Sequence, residues 1–64
     1  MPYLISTFAL GTEMYFMPFE GKEGGFAITN DRTIARTYKT RKEARENSEI
    51  LAFISGMETA IKRN

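Results

Sequence analysis

The chain has 64 residues, 42% hydrophobic, 27% charged and 12% aromatic, with a formal net charge of +1. A chain of this length makes one domain, residues 1–64, and buries only about 60% of the surface that it exposes when unfolded, so its stability is marginal. It has no Cys and no His, which excludes disulfide staples, thiolate and imidazole metal sites, and His-dependent catalysis.

Residues 3–10 are rich in aromatic and branched side chains and read as a first strand. Gly11-Thr12 fits a type II′ hairpin turn, which needs Gly at its first central position. Residues 13–19 return as a second strand, which Pro18 ends or confines to an edge. Residues 20–25 hold three of the five glycines and read as a flexible connection. Residues 26–29 suit a short third strand, after which Asn30-Asp31 makes a turn or caps one helical turn through Ile34 and Ala35. Tyr38-Lys39 extends briefly.

Thr40-x-x-Glu43 is a capping box, so a helix should start there and run toward Lys62. Ile50, Ile54, Met57 and Ile61 recur at spacings of 4, 3 and 4, the pattern of a single helical stripe. Leu51, Phe53 and Ala60 widen it, and Ala44 adds a small contact. Gly56 costs a helix about 1 kcal/mol relative to Ala. It either ends the main helix, with a short tail helix beyond it, or allows close packing within one helix. The expected fold class is therefore α+β: a small antiparallel sheet of two to three strands packed by one C-terminal helix, broken or unbroken near Gly56.

Two local conflicts point to function. The second strand is apolar on both faces, with Met14, Phe16 and Pro18 on one and Tyr15, Met17 and Phe19 on the other. One helix covers one face, so the second is buried by strand curl and loops or is offered to a partner. The second conflict is electrostatic. Residues 32–45 carry six cations against Glu43, a net of +5. Arg41, Lys42 and Arg45 fall in the first turns of the helix, where the macrodipole disfavours cations by about 0.3–1 kcal/mol each. Lys42–Glu46 and Arg45–Glu49 are i, i+4 pairs that would neutralise them. Without such neutralisation the segment suits an anionic partner.

Catalysis has little to work with. Glu20 and Glu23 lie in the glycine-rich connection, Glu43 caps, and Glu46 and Glu49 belong to an exposed helix face. We expect no enzyme, no catalytic residue, no metal and no cofactor. The longest apolar runs, residues 14–19 and 50–54, fall well short of the roughly 20 needed to span a bilayer. The N-terminus lacks the basic region of a signal peptide, so a cytoplasmic protein without a membrane partner is expected.

Asp31-x-x-x-Ala35-x-x-Tyr38-x-Thr40-x-x-Glu43-Ala44 resembles a segment of small bacteriophage- and prophage-encoded accessory proteins, in which a β-hairpin precedes it and a helix follows. The resemblance covers about residues 26–45. It implies a setting in a bacterial host cell and binding to a host or phage protein, such as a polymerase, nuclease or CRISPR effector, that is modulated or inhibited. It carries over no functional residue. From the residues themselves, Tyr15, Met17 and Phe19 are the expected apolar anchor, with Arg36, Lys39, Arg41, Lys42 and Arg45 as polar contacts. The alternatives are a nucleic-acid-binding regulator using residues 32–45, or a self-associating structural protein such as a homodimer.

Overall fold

The computed structural model describes residues 2–19, 21 and 25–64. The elements are β1 (Tyr3–Ala9), β2 (Thr12–Met17), β3 (Ala27–Thr29), α1 (Arg41–Ser55) and β4 (Thr59–Arg63). The strands form one antiparallel sheet in the order β3-β2-β1-β4. The fold is α+β as expected, with one strand more. The connection expected over residues 20–25 lies mostly outside the described residues, as do Glu20 and Glu23.

The β1–β2 turn sits one residue earlier than expected. Ala9 pairs with Thr12, so Leu10 and Gly11 are the central pair, at φ 55° and 78°. Positive φ at both positions is the type I′ pattern, whose hand matches the strand twist. Gly11 therefore takes the second central position and Thr12 begins β2. Leu10 is strained in this conformation, because its Cβ crowds the following carbonyl.

That turn sets the backbone register. In a two-residue hairpin the closing pair is hydrogen-bonded, and hydrogen-bonded pairs then alternate. Ala9, Thr7, Ile5 and Tyr3 thus turn their backbone groups toward β2. The β1–β2 ladder, however, stops at Ser6↔Tyr15. The orphaned groups beyond it need partners, and residues 36–38 supply them. Arg36 N donates to Phe16 O at 3.0 Å; Tyr3 N donates to Tyr38 O at 2.8 Å and Tyr38 N to Tyr3 O at 2.7 Å. The segment is wedged between the splayed ends of β1 and β2, so the brief extension at Tyr38 is a sheet contact.

The core lies between the sheet and α1. Ile5, Phe16, Tyr38 and Ala44 are buried together, with Tyr3, Phe26, Ile28, Leu51, Met57 and Ile61 packed around them. Phe16 and Phe26 meet edge-to-face at 6.0 Å. Burying a side chain such as Ile5 contributes about 1.5–3 kcal/mol.

Thr40 caps α1 as expected, its hydroxyl accepting from Glu43 N at 3.1 Å. The helix then stops at Ser55. Gly56 stands in the left-handed region at φ 70° and donates its N–H to Ala52 O at 2.9 Å. This is a helix C-terminus of the αL type. The expected continuation toward Lys62 is replaced by β4, which pairs Ile61 with Ile5 and Thr59 with Thr7. The periodicity misled because an inward strand residue, Ile61, falls at a helical spacing from Ile54. The helix buries only part of the expected apolar set: Ala44 and Ser48 are buried, Leu51 packs on the core and Ile54 is half-buried, while Ile50 and Phe53 are 60% and 88% exposed. Its contacts with the sheet are to β4 and β1. Ser48 O accepts from Thr59 Oγ1 at 3.4 Å, and small residues permit that approach.

Two substitutions test this backbone. Leu10→Asn should stabilise the protein by about 1 kcal/mol, because Asn tolerates αL and Leu10, 98% exposed, loses no buried contact. Gly56→Ala should destabilise it by about 1 kcal/mol or slightly more, since space is open around a Cβ there and the left-handed backbone alone resists it. A continuous helix through residue 56 would reverse the second sign. Urea unfolding midpoints at unchanged m-value read both effects.

Candidate interaction surfaces

Two ends of the molecule differ in chemistry. At one end β1 begins, Tyr38 bridges to Tyr3, and α1 starts just beyond Thr40. At the other end lies the Leu10-Gly11 hairpin tip. The helix runs from the first end to the second. Ser48 sits beside Thr59, which pairs with Thr7; Phe53 lies about 7–8 Å further along the axis, level with Ala9.

The hairpin end presents large apolar groups. Phe8 is 72% exposed, on the sheet face opposite the helix, and Leu10 lies at the tip. Phe53 and Ile50 point outward from α1. An open depression of about 330 Å³ on the far sheet face runs past Ser6, Phe8, Glu13, Ala60 and Lys62. Lys62 Nζ crosses β1 to reach Glu13 Oε2 at 3.2 Å, and Tyr15 Oη donates to Glu13 Oε1 at 3.1 Å. The Lys62 bond, then the Tyr15 bond, hold the Glu13 carboxyl below its usual range.

The expected strand anchor is largely engaged within the chain. Tyr15 and Met17 are half-buried. Arg32 lies over the Tyr15 ring at 5.5 Å and donates to Arg63 O at 3.2 Å, so it spans from β2 to β4 across the far face. This face is closed at Leu4 and Ser6, which are buried, and the segment following β3 covers part of the rest. Phe19 lies beyond the end of β2 and is half-exposed, with its ring against the Cα atoms of Gly21 and Gly25. The three side chains do not form one open patch.

The helix-start end is basic. Arg36, Lys39, Arg41, Lys42 and Arg45 are all exposed there. The fold adds one cation from outside the segment 32–45, Arg63, and sets Arg32 beside it. Arg63 pairs with Tyr3 across β1–β4, and Arg32 reaches the Arg63 carbonyl. Each of the chain's three tyrosines carries an arginine: Arg32 over Tyr15, Arg36 over Tyr38 and Arg63 over Tyr3, at 5.5, 5.5 and 5.7 Å. The helical pairs Lys42–Glu46 and Arg45–Glu49 do not form; Lys62–Glu13 is the single ion pair among the described residues. Asp31 is occupied by Thr33, whose N and Oγ1 donate to its Oδ1 at 2.9 and 2.6 Å.

Sequence reasoning missed Phe8 and Leu10, whose exposure depends on the true turn position, and Arg63, whose neighbours come from β4 pairing. The outward position of Ile50 and Phe53 had a readable signal. Ala44, Ser48, Leu51 and Ser55 also follow helical spacing, but three of the four are small or polar, so this line has little weight in a hydrophobic pattern.

Among the described residues no cluster of three or more acidic side chains could hold a metal ion, and no helix is long and apolar enough to cross a membrane. Comparison with protein-family models, curated proteins and solved structures finds no match.

The basic end has a titration signature. The Arg63 hydrogen bond, followed by the charges of Arg63 and Arg41, holds the Tyr3 phenol below its usual value. Burial pushes Tyr38 up. Arg63→Gln should therefore raise the Tyr3 pKa and leave Tyr38 above the ordinary phenol, as read by phenolate absorbance. Because Tyr3 is depressed in the folded state, its linkage contribution is present above the unfolded pKa and is lost as pH falls through the folded one. The wild type should gain stability over Arg63→Gln as pH rises through that alkaline window.

Proposed function

We propose that this chain is a non-enzymatic binding protein of the phage accessory type, which docks on a host protein and modulates or inhibits it. The observation that supports this reading is the outward position of two large apolar residues of the helix. A surface helix ordinarily turns its large apolar residues inward; α1 packs Leu51 on the core beside Ala44 and Ser48 but leaves Ile50 and Phe53 in water. Leu10 adds to it, being an apolar residue in a strained turn position that Asn or Gly would fill better. Features that break a local rule at a cost in stability are candidates for function.

The apolar contact is assigned to Leu10, Ile50 and Phe53, with Phe8 on the opposite side of the sheet. Tyr15, Met17 and Phe19 are less available, being half-buried or packed on the chain itself. Aromatic and branched anchors of this kind supply most of the affinity of small interfaces. The resemblance of residues 26–45 places polymerases, nucleases and CRISPR effectors among the targets to test first.

Affinity capture from nuclease-treated bacterial lysate, read by mass spectrometry, tests the reading. The wild type should retain a stoichiometric partner. Phe53→Ser and Leu10→Asn should each weaken its capture about tenfold or more, as expected for loss of an interface anchor of about 1.5–3 kcal/mol, while thermal melts show both variants folded. Undiminished capture by both variants would remove the hairpin end from the interface.

A further inference from the structure

We propose that the basic end binds the sugar–phosphate backbone of duplex nucleic acid without reading its sequence. Seven of the chain's nine cations gather there: Arg32, Arg36, Lys39, Arg41, Lys42, Arg45 and Arg63. They come from two stretches of chain, residues 32–45 and β4, joined through Tyr3 by the Tyr3–Tyr38 bridge and the Tyr3↔Arg63 pair. All seven are exposed, and none has a carboxylate within ion-pair distance among the described residues. Surface cations that serve only solubility are normally interspersed with acids. Here the available acids are spaced for pairing but unpaired, or held by neutral donors in the case of Asp31.

The arginines are also held in place. Arg32, Arg36 and Arg63 each lie over a tyrosine ring. A guanidinium already restrained by an aromatic face loses less freedom when it meets a phosphate. The same stacking decides between kinds of nucleic acid. Single-strand binders stack bases on open aromatic rings. Tyr38 is 4% exposed and the other two rings are half-buried beside their arginines, so no open stacking platform is present among the described residues of this end. An acidic protein surface fits less well. Protein interfaces gather apolar and aromatic residues at the centre of the patch, and at this end the large exposed hydrophobics among the described residues are Ile34 and the half-exposed Phe19, whose ring packs on the chain itself. The shortest extent of the molecule is 20 Å. That corresponds to about six base pairs of duplex, enough to place several cations on phosphates.

Fluorescence anisotropy with a labelled duplex of about 20 base pairs and mixed sequence, titrated at about 50–200 mM KCl, tests the proposal. Engagement of about five phosphates predicts a slope of log K against log salt near −4 to −5. Lys39 and Lys42 make no hydrogen bond or ion pair among the described residues, so Lys39→Gln/Lys42→Gln should fold normally by circular dichroism. It should lower the slope by about two units and the affinity by about tenfold or more at the lowest salt. Glu49→Gln should bind at least as tightly as the wild type. No binding at about 100 μM protein in the lowest salt, or a slope unchanged in the double variant, would overturn the proposal. Tighter binding of a single strand of equal length would overturn the duplex assignment. Competition by poly-glutamate equal to that of unlabelled duplex would move the site to an acidic protein surface.

Discussion

Three backbone hydrogen bonds organise this fold: Arg36 N to Phe16 O, and the reciprocal pair between Tyr3 and Tyr38. They exist because the β1–β2 ladder ends at Ser6↔Tyr15, leaving backbone groups of Tyr3 and Phe16 without partners. A buried unpaired peptide group costs about as much as a lost hydrogen bond, and residues 36–38 fill the gap. The consequences reach both ends of the chain. Tyr38 is carried into the core beside Ile5 and Phe16. Thr40 is placed to start the helix next to Tyr3. Arg36 and Arg63 are brought onto the neighbouring rings of Tyr38 and Tyr3.

The helix follows from that anchoring. Ala44 meets the core cluster directly and Ser48 touches Thr59, so α1 approaches the sheet closely at these two positions. Interiors are close-packed, and an Ile or Phe at either would have to displace backbone. Leu51 packs on the core one turn further on, while Ile50 and Phe53 are left on the outer side. This is more than a default of geometry, since charged residues would suit that side better and already occupy the rest of it: Lys42, Arg45, Glu46 and Glu49 are exposed there. The apolar hairpin end and the basic helix-start end are thus products of one helix orientation.

The arrangement of charge supports the same view. Tyrosine rings, rather than carboxylates, hold three of the five arginines of the basic end. Such contacts orient a guanidinium while leaving its charge uncompensated. Uncompensated charge on a small domain is unfavourable through self-repulsion. It is most easily understood if an external anion completes the surface.

Local chemistry made much of this legible before the fold was seen. The α+β class, the hairpin, the short third strand, the end of β2 before Pro18 and the Thr40 cap all rest on interactions within a few residues. So does the basic character of residues 32–45. Other features depend on partners distant in sequence. Whether residues 59–63 are helix or strand was decided by the free side of β1, because five residues of mixed pattern are stable as a strand only when a ladder receives them. Gly56 read equally well as a helix interruption or a helix end until its left-handed backbone resolved the ambiguity. Which helical face is buried, which arginine stacks on which tyrosine, and the arrival of Arg63 beside Tyr3 were set by the sheet register. Register is a property of pairs of strands, and no window of one strand contains it.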